Sequence, residues 1–153
     1  MKLDEIDRRI LRALQRDARI QNVDLAREVG LTPSPCLRRV RLLEQAGVIR
    51  RYVAVLDPAQ VGAGLSLFVR VWLKAQDVET IDSFIAAVER IPEIVDCYIM
   101  LGDCDFLLRV VAADLDDYRR IQAAHLGRLP GVQNLKTEVP SQTVKQSHAL
   151  PLR

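Results

Sequence analysis

The stretch from Asn22 to Glu44 constrains this chain more than any other, because two short helical patterns flank a glycine placed for a sharp turn. Leu25, Ala26 and Val29 mark a short helix that Asn22 can cap, and Gly30 supplies the left-handed residue that commonly ends a helix. The chain then turns through Leu31. Thr32 stands where a helix cap belongs, with Pro33 at the first helical position, where its missing N–H costs nothing. The spacing predicts a helix over Thr32 to Glu44, ended by Gly47. Ahead of this pair, Ile6, Ile10, Leu11 and Leu14 lie on one face of a helix between Asp4 and Asp17. Two helices joined by a Gly-containing turn, the second rich in arginine, make the helix-turn-helix signature.

On a helical wheel of the third helix, Cys36, Leu37, Val40, Leu43 and Glu44 gather on one side, while Ser34, Arg38, Arg41 and Gln45 form a stripe facing away. Arginine suits such a stripe because its planar fork pairs bidentately with a guanine edge or a phosphate. Arg39 is rotated out of the stripe and is expected on a phosphate, as are Arg50 and Arg51 just downstream; Thr32 and Pro35, at the helix start, complete the expected DNA-facing set. An arginine-rich face in isolation reads more simply as solvated surface. Charge distribution argues otherwise. Residues 1–52 carry 12 Lys and Arg against 7 Asp and Glu, whereas residues 53–153 carry 10 against 13. The basic front of the chain is therefore expected to meet double-stranded DNA.

After Gly47, the β-branched run Val48 to Val55 reads as extended, a basic strand or wing beside the helices. Asp57-Pro58, Gly62 and Gly64 break the pattern. The expected organisation is a DNA-binding domain over 1–52, a hinge strand or linker over 53–63, a second domain over 64–140 and a tail over 141–153. Within the second domain, strand patterns at Leu65 to Ala75, Ile94 to Leu101, Asp105 to Val111 and Val132 to Val139 alternate with helical patterns at Val78 to Ile91, where Ile81, Ile85 and Val88 form the apolar stripe, and at Leu115 to Leu129. This β-α-β-β-α-β order predicts the ferredoxin-like split arrangement, giving an α+β chain overall. One sheet face, rich in Phe, Val, Trp and Leu, is left without helices. A second copy of the chain is its simplest cover, so a homodimer is expected.

Hydrophobic content of 49% with 27% charged residues is ordinary for a globular chain. No apolar run reaches the roughly 18 residues of a membrane span and the N-terminus opens on charges, so a cytoplasmic protein without membrane partners is expected. Cys36, Cys97 and Cys104 lack close metal-ligand spacing and read as free thiols, with no metal and no cofactor implied. An enzyme reading would pair Asp103 and Asp105 as metal ligands or a general base. Little supports it, since the chain carries no phosphate loop and no histidine base beside a nucleophile.

Four blocks of residues resemble the Lrp/AsnC family of transcription regulators, nearer its leucine-responsive branch. They are Leu3 to Leu11, Leu31 to Arg41 with Leu43-Glu44, Gly102 to Leu108, and Leu129 to Val132 followed by Val144 to Ser147. The resemblance implies an N-terminal DNA-binding domain, a hinge strand, and a C-terminal ferredoxin-like domain that dimerises and assembles dimers into octamers or related rings. It also implies that a small effector, usually an amino acid, binds between dimers near the Gly102 to Asp105 turn. Met100, Leu101, Gly102, Asp103 and Asp105 would form one wall, with Thr137, Val139, Pro140 and Ser141 nearby from the last strand or a neighbouring dimer. An α-amino acid needs a carboxylate for its ammonium group, N–H donors for its carboxylate and an apolar recess for its side chain. Asp103 or Asp105 would supply the first and the glycine turn the second. The sequence departs from the leucine-responsive pattern at Arg38, at Leu42 and over Glu138 to Ser141. The competing reading is an architectural protein that wraps DNA with little sequence preference and no small-molecule control.

Overall fold

A computed structural model describes residues 2–152. The chain divides into two compact units, residues 2–54 with 144–152 and residues 55–143.

The first unit is built on α1 (Glu5–Arg16), α2 (Asn22–Val29) and α3 (Pro33–Gln45). Helix α1 begins in a reciprocal capping box: the Asp7 N–H donates to the Asp4 carboxylate at 2.8 Å and the Asp4 N–H donates to Asp7 at 3.1 Å. Ile10, Leu11 and Ala13 then pack with Leu25, Ala26 and Val29 of α2 and with Cys36 and Leu43 of α3. Gly30 ends α2 at φ 75°, where a side chain would be strained, and its neighbour Leu31 donates back to the Ala26 carbonyl at 2.8 Å.

Several local expectations differ from the structure. Asn22 is the first residue of α2 and not its cap; Gln21 holds that position, and the Asn22 amide instead donates to the Pro33 carbonyl at 2.8 Å, tying the starts of α2 and α3 together. Thr32 sits at the cap of α3, but its hydroxyl makes no capping bond. Leu37 and Glu44, expected on the inner face, are exposed, because Cys36 and Leu43 already fill the contact with α1 and α2. Val48 to Val55 forms no strand: a strand needs a neighbour to accept its ladder bonds, and none lies alongside among the described residues. Ile49 alone of this run turns inward against the unit's core.

The second unit contains β1 (Leu65–Leu73), α4 (Val78–Val88), β2 (Ile94–Ile99), β3 (Phe106–Ala112), α5 (Leu115–Ala124), a 3-10 turn (Leu126–Arg128) and β4 (Val132–Glu138). The sheet order is β2-β3-β1-β4, antiparallel throughout, which is the expected split β-α-β topology. Strict alternation sorts the two faces. Leu67, Val69, Val71, Phe106, Leu108 and Val110 point to one side and pack with Phe84 and Val88 of α4 and with Tyr118 and Ile121 of α5. Phe84, absent from the expected helix stripe, is the fully buried anchor of α4, its ring centroid 4.4 Å from that of Phe106. Phe68, Arg70, Trp72, Leu107, Arg109 and Val111 point the other way and are half-buried. Asp77 and Asp114 cap α4 and α5 by accepting from the N–H groups of Thr80 and Asp117.

Candidate nucleic-acid interface and ligand recess

Along α3, Ser34, Arg38, Arg41 and Gln45 are all exposed, as are Thr32 and Pro35 at its start. Arg38, Arg41, Arg50 and Arg51 have no hydrogen-bond or ion-pair partner among the described residues. Their neighbours on the scaffold differ. Arg12 pairs with Glu5, Arg16 with Glu28 and Arg27 with Asp24, and Arg9 donates to the Glu28 carbonyl. The cations left unneutralised thus include the outward stripe of α3 and the segment that follows it, which is the electrostatic footprint a polyanion would meet.

Arg39, expected on a phosphate, has ion-pair partners within the unit. Its Nη1 donates to Asp4 Oδ2 and to Asp7 Oδ1, both at 2.7 Å, which ties α3 to the capping box of α1. Asp7 is buried, the one charged residue in the core among the described residues. Hydrogen bonding from the Asp7 N–H, then from Arg39, holds the Asp4 carboxyl below its usual range, and the same carboxylates hold the Arg39 guanidinium above its own. The sequence carried a signal for this, Asp4-x-x-Asp7 at a helix start, which patterning by apolar residues passes over.

At the end of α3, the Tyr52 hydroxyl donates to Glu44 Oε1 at 2.8 Å. Burial, with the Glu44 carboxylate adding to it, pushes the phenol up to about 12.

In the second unit, the β2–β3 connection is longer than a two-residue turn. Ile99 still pairs with Phe106 and the Met100 N–H donates to the Asp105 carbonyl at 2.9 Å, leaving Leu101 to Cys104 as the loop. Gly102 adopts φ 154°, which an L side chain rarely takes. A recess of about 350 Å³ lies beneath this loop, lined mainly by Leu73, Ile81, Ile99, Met100, Leu101 and Phe106 with polar groups from Gln76, Gly102 and Asp105.

Asp105 is fixed from four directions. Its N–H donates to the Val71 carbonyl at 2.9 Å and its carbonyl accepts from Met100; its carboxylate accepts from the Leu73 N–H and from the Gln76 amide, both at 2.7 Å. A carboxylate has about four lone-pair sites, so two bonds leave room for an ammonium group.

The two aspartates of the turn separate. The Asp103 carboxylate turns away from the recess to Arg70 at 2.6 Å, its carbonyl accepts from the Trp72 indole at 2.6 Å, and Arg70 stacks over Trp72 on the open sheet face. Asp103 and Asp105 therefore do not converge as a pair, and among the described residues no cluster of three His, Cys, Asp or Glu forms a metal-binding group.

Thr137, Val139, Pro140 and Ser141 do not line the recess. Strand β4 lies at the sheet edge opposite β2, and the Thr137 hydroxyl is bonded to Tyr118. A wider hollow of about 740 Å³ sits at the far end of β1 and β3, lined by Gly64, Leu65, Asp114, Asp116 and Arg119. It is open and acidic, and its Arg119 is already paired with Asp116, so it offers little to bury or bind.

Comparison with known proteins follows the same division. Residues 3–50 match a winged helix-turn-helix DNA-binding family and residues 66–150 match the Lrp/AsnC ligand binding domain. The chain is 44% identical over 151 residues to a leucine-responsive regulatory protein of Salmonella typhimurium, covering 99% of this chain and 92% of that one. It is 43% identical, with the same coverage, to the leucine-responsive regulatory protein of Escherichia coli K12. Among solved structures, a transcriptional regulator of Neisseria meningitidis in complex with L-Met superimposes with TM-score 0.93 at 35% identity, covering 98% of this chain and 97% of that one. An AsnC family regulator of Agrobacterium tumefaciens gives TM-score 0.92 at 36% identity, with 97% of each chain covered.

Proposed function

This chain belongs to the Lrp/AsnC family, and from that membership we propose that it is a transcription regulator that reads DNA through α3 and is controlled by an amino acid with an apolar side chain. The observation that carries the DNA reading is the set of unpaired arginines, Arg38 and Arg41 on the exposed stripe of α3 with Arg50 and Arg51 after it. Ser34, Arg38, Arg41 and Gln45 face base edges; Thr32, Pro35, Arg50 and Arg51 lie along the phosphates.

The recess under the Leu101 to Cys104 loop takes the ligand. Asp105 receives its ammonium group, the N–H groups of the glycine loop face its carboxylate, and Leu73, Ile81, Ile99 and Phe106 surround its side chain. The L-Met bound to the Neisseria relative agrees with this chemistry. Thr137, Val139, Pro140 and Ser141 reach such a ligand only from a neighbouring dimer.

Phe68, Trp72, Leu107 and Val111 on the open sheet face support a homodimer, and dimers assemble further, to an octamer. The ligand acts by favouring one packing of dimers over another, which changes the spacing of the DNA-binding units. No helix of the described residues is long and apolar enough to cross a membrane, and the regulator works in the cytoplasm on chromosomal DNA.

The deciding experiment is a thermal-shift screen of the natural L-amino acids, followed by binding to a duplex selected from a randomised library with and without each hit. A hit that alters neither duplex affinity nor oligomer mass at saturation removes the regulatory reading. Architectural wrapping is the second reading. It predicts equal affinity for the selected and a random duplex, where a specific regulator differs by about 10³-fold or more.

A further inference from the structure

Arg39 sits one residue from Arg38 and two from Arg41, yet it does not share their surface. Its side chain is 30% exposed and is drawn down between the two carboxylates of the α1 capping box, while the Asp7 side chain is 5% exposed. A carboxylate buried to that degree must be paired, and here the pairing is geometrically complete: Asp7 Oδ2 accepts from the Asp4 N–H, Asp7 Oδ1 from Arg39. Arg39 is thus the group that completes the only ionic junction between α3 and α1 among the described residues. Elsewhere α3 is held by one hydrogen bond at its first residue, from the Asn22 amide to the Pro33 carbonyl, and by Cys36, Val40 and Leu43, apolar contacts that resist separation more than rotation.

We infer that Arg39 is a positioning residue for sequence reading, setting the rotation of α3 about its own axis through Asp4 and Asp7, and is not itself a phosphate contact. The inference rests on the proposal that α3 reads DNA. A helix with its side chains is roughly 10–12 Å across, so a rotation of about 10° carries its surface by about 1 Å. That displacement exceeds the tolerance of bidentate pairing between a guanidinium fork and a base edge, whereas a phosphate contact to a flexible side chain survives it. Loss of the junction therefore erodes specificity before it erodes general DNA affinity.

The test compares Arg39→Lys and Arg39→Gln with wild type in the full-length chain. Affinity is measured for the duplex selected from a randomised library and for a shuffled duplex of equal composition, across a salt series and below each variant's unfolding transition. Lysine keeps the charge, but its ammonium ends one bond short of the Nη1 that donates to both carboxylates; glutamine loses the charge.

Positioning predicts that both variants lower the selected-to-shuffled ratio by about 10-fold or more while the salt slope stays at the wild-type value. A phosphate contact predicts that Arg39→Lys retains binding and that Arg39→Gln lowers both affinities together with a slope reduced by about 0.9, and that outcome overturns the inference. Lower unfolding temperature with an unchanged ratio overturns it also, leaving the junction purely structural. Asp4→Asn, which keeps a good helix cap but removes half of the ionic junction, is expected to lower the ratio to a smaller degree. A wild-type chain that binds neither duplex sinks the DNA-reading proposal and the inference with it, a result distinct from the others.

Discussion

The side-chain amide of Gln15 and the backbone of Leu150, 135 positions apart, exchange two hydrogen bonds: the Leu150 N–H donates to Gln15 Oε1 at 2.6 Å and Gln15 Nε2 donates to the Leu150 carbonyl at 3.2 Å. Leu152 follows onto the apolar core of the helical unit. The tail is therefore a component of that unit and not a loose end. Deleting residues 147–153 is expected to destabilise it by about 1–3 kcal/mol, from two hydrogen bonds and one partly buried leucine. Urea unfolding followed by far-UV dichroism measures this, while fluorescence of Trp72, the single tryptophan, reports the other unit, whose transition stays put. Coincident, unshifted transitions in the truncated chain would contradict the role of the tail.

Arg38→Ala and Arg41→Ala are each expected to weaken binding to a selected duplex by about 1–3 kcal/mol with a much smaller loss on random DNA. Arg50→Ala and Arg51→Ala behave differently, lowering both affinities alike and reducing the salt slope by about 0.9 each. Fluorescence anisotropy over a salt series separates the two classes. Uniform losses across all four variants would remove base reading from α3.

Asp105 and Asp103 provide an internal control within one loop. Asp105→Ala is expected to cost about 10-fold or more in amino acid affinity, since a charge-assisted hydrogen bond contributes ~1.5–3 kcal/mol. Asp103→Ala leaves that affinity intact because its carboxylate is bound to Arg70 on the other sheet face. Titration calorimetry with the best ligand of the screen decides. Equal losses in both variants would place the ammonium group elsewhere.

Tyr52 gives a pH prediction. Its phenol is raised from 10.0 to about 12 by burial and then by Glu44, so the neutral form is favoured in the fold. The stabilisation it contributes is fully present below pH 10 and disappears as pH rises through about 12. Phenolate absorbance during alkaline titration is expected to show a late step that Tyr52→Phe removes. Persistence of that step in Tyr52→Phe would assign it to another residue.

Because burial of one face dictates spacing along the chain, apolar period with turn residues located the helices and strands of the sheet unit to within a few residues, except that the helix expected to reach Leu129 ends at Ala124 and a 3-10 turn follows. It was weaker where a side chain had a choice of partner. Asn22 could cap α2 or reach Pro33, and the second won because α3 lies beside it. Phe84 was passed over in favour of Ile81 and Ile85, since a stripe shows which face turns inward but not which residue meets Phe106.

The run from Val48 to Val55 has strand composition and no strand, as pairing is a property of two segments and sequence describes only one. For the same reason the helical wheel set Arg39 apart from Arg38 and Arg41 without showing that its partners are Asp4 and Asp7.

What the sequence determined, then, is local: the Gly30 turn, the proline start of α3, the outward stripe of Ser34, Arg38, Arg41 and Gln45, and the alternation that builds the sheet. What only the tertiary structure decided is which charges remain free. Arg39 and Arg38 are adjacent and chemically identical, but one faces Asp4 and Asp7 across α1 and the other faces solvent. Asp103 and Asp105 are separated in the same way, by Arg70 on one side and Leu73 with Gln76 on the other. Coulombic partners come from residues distant in the chain, so their choice is written in the packing of α1 against α3 and of β1 against β3.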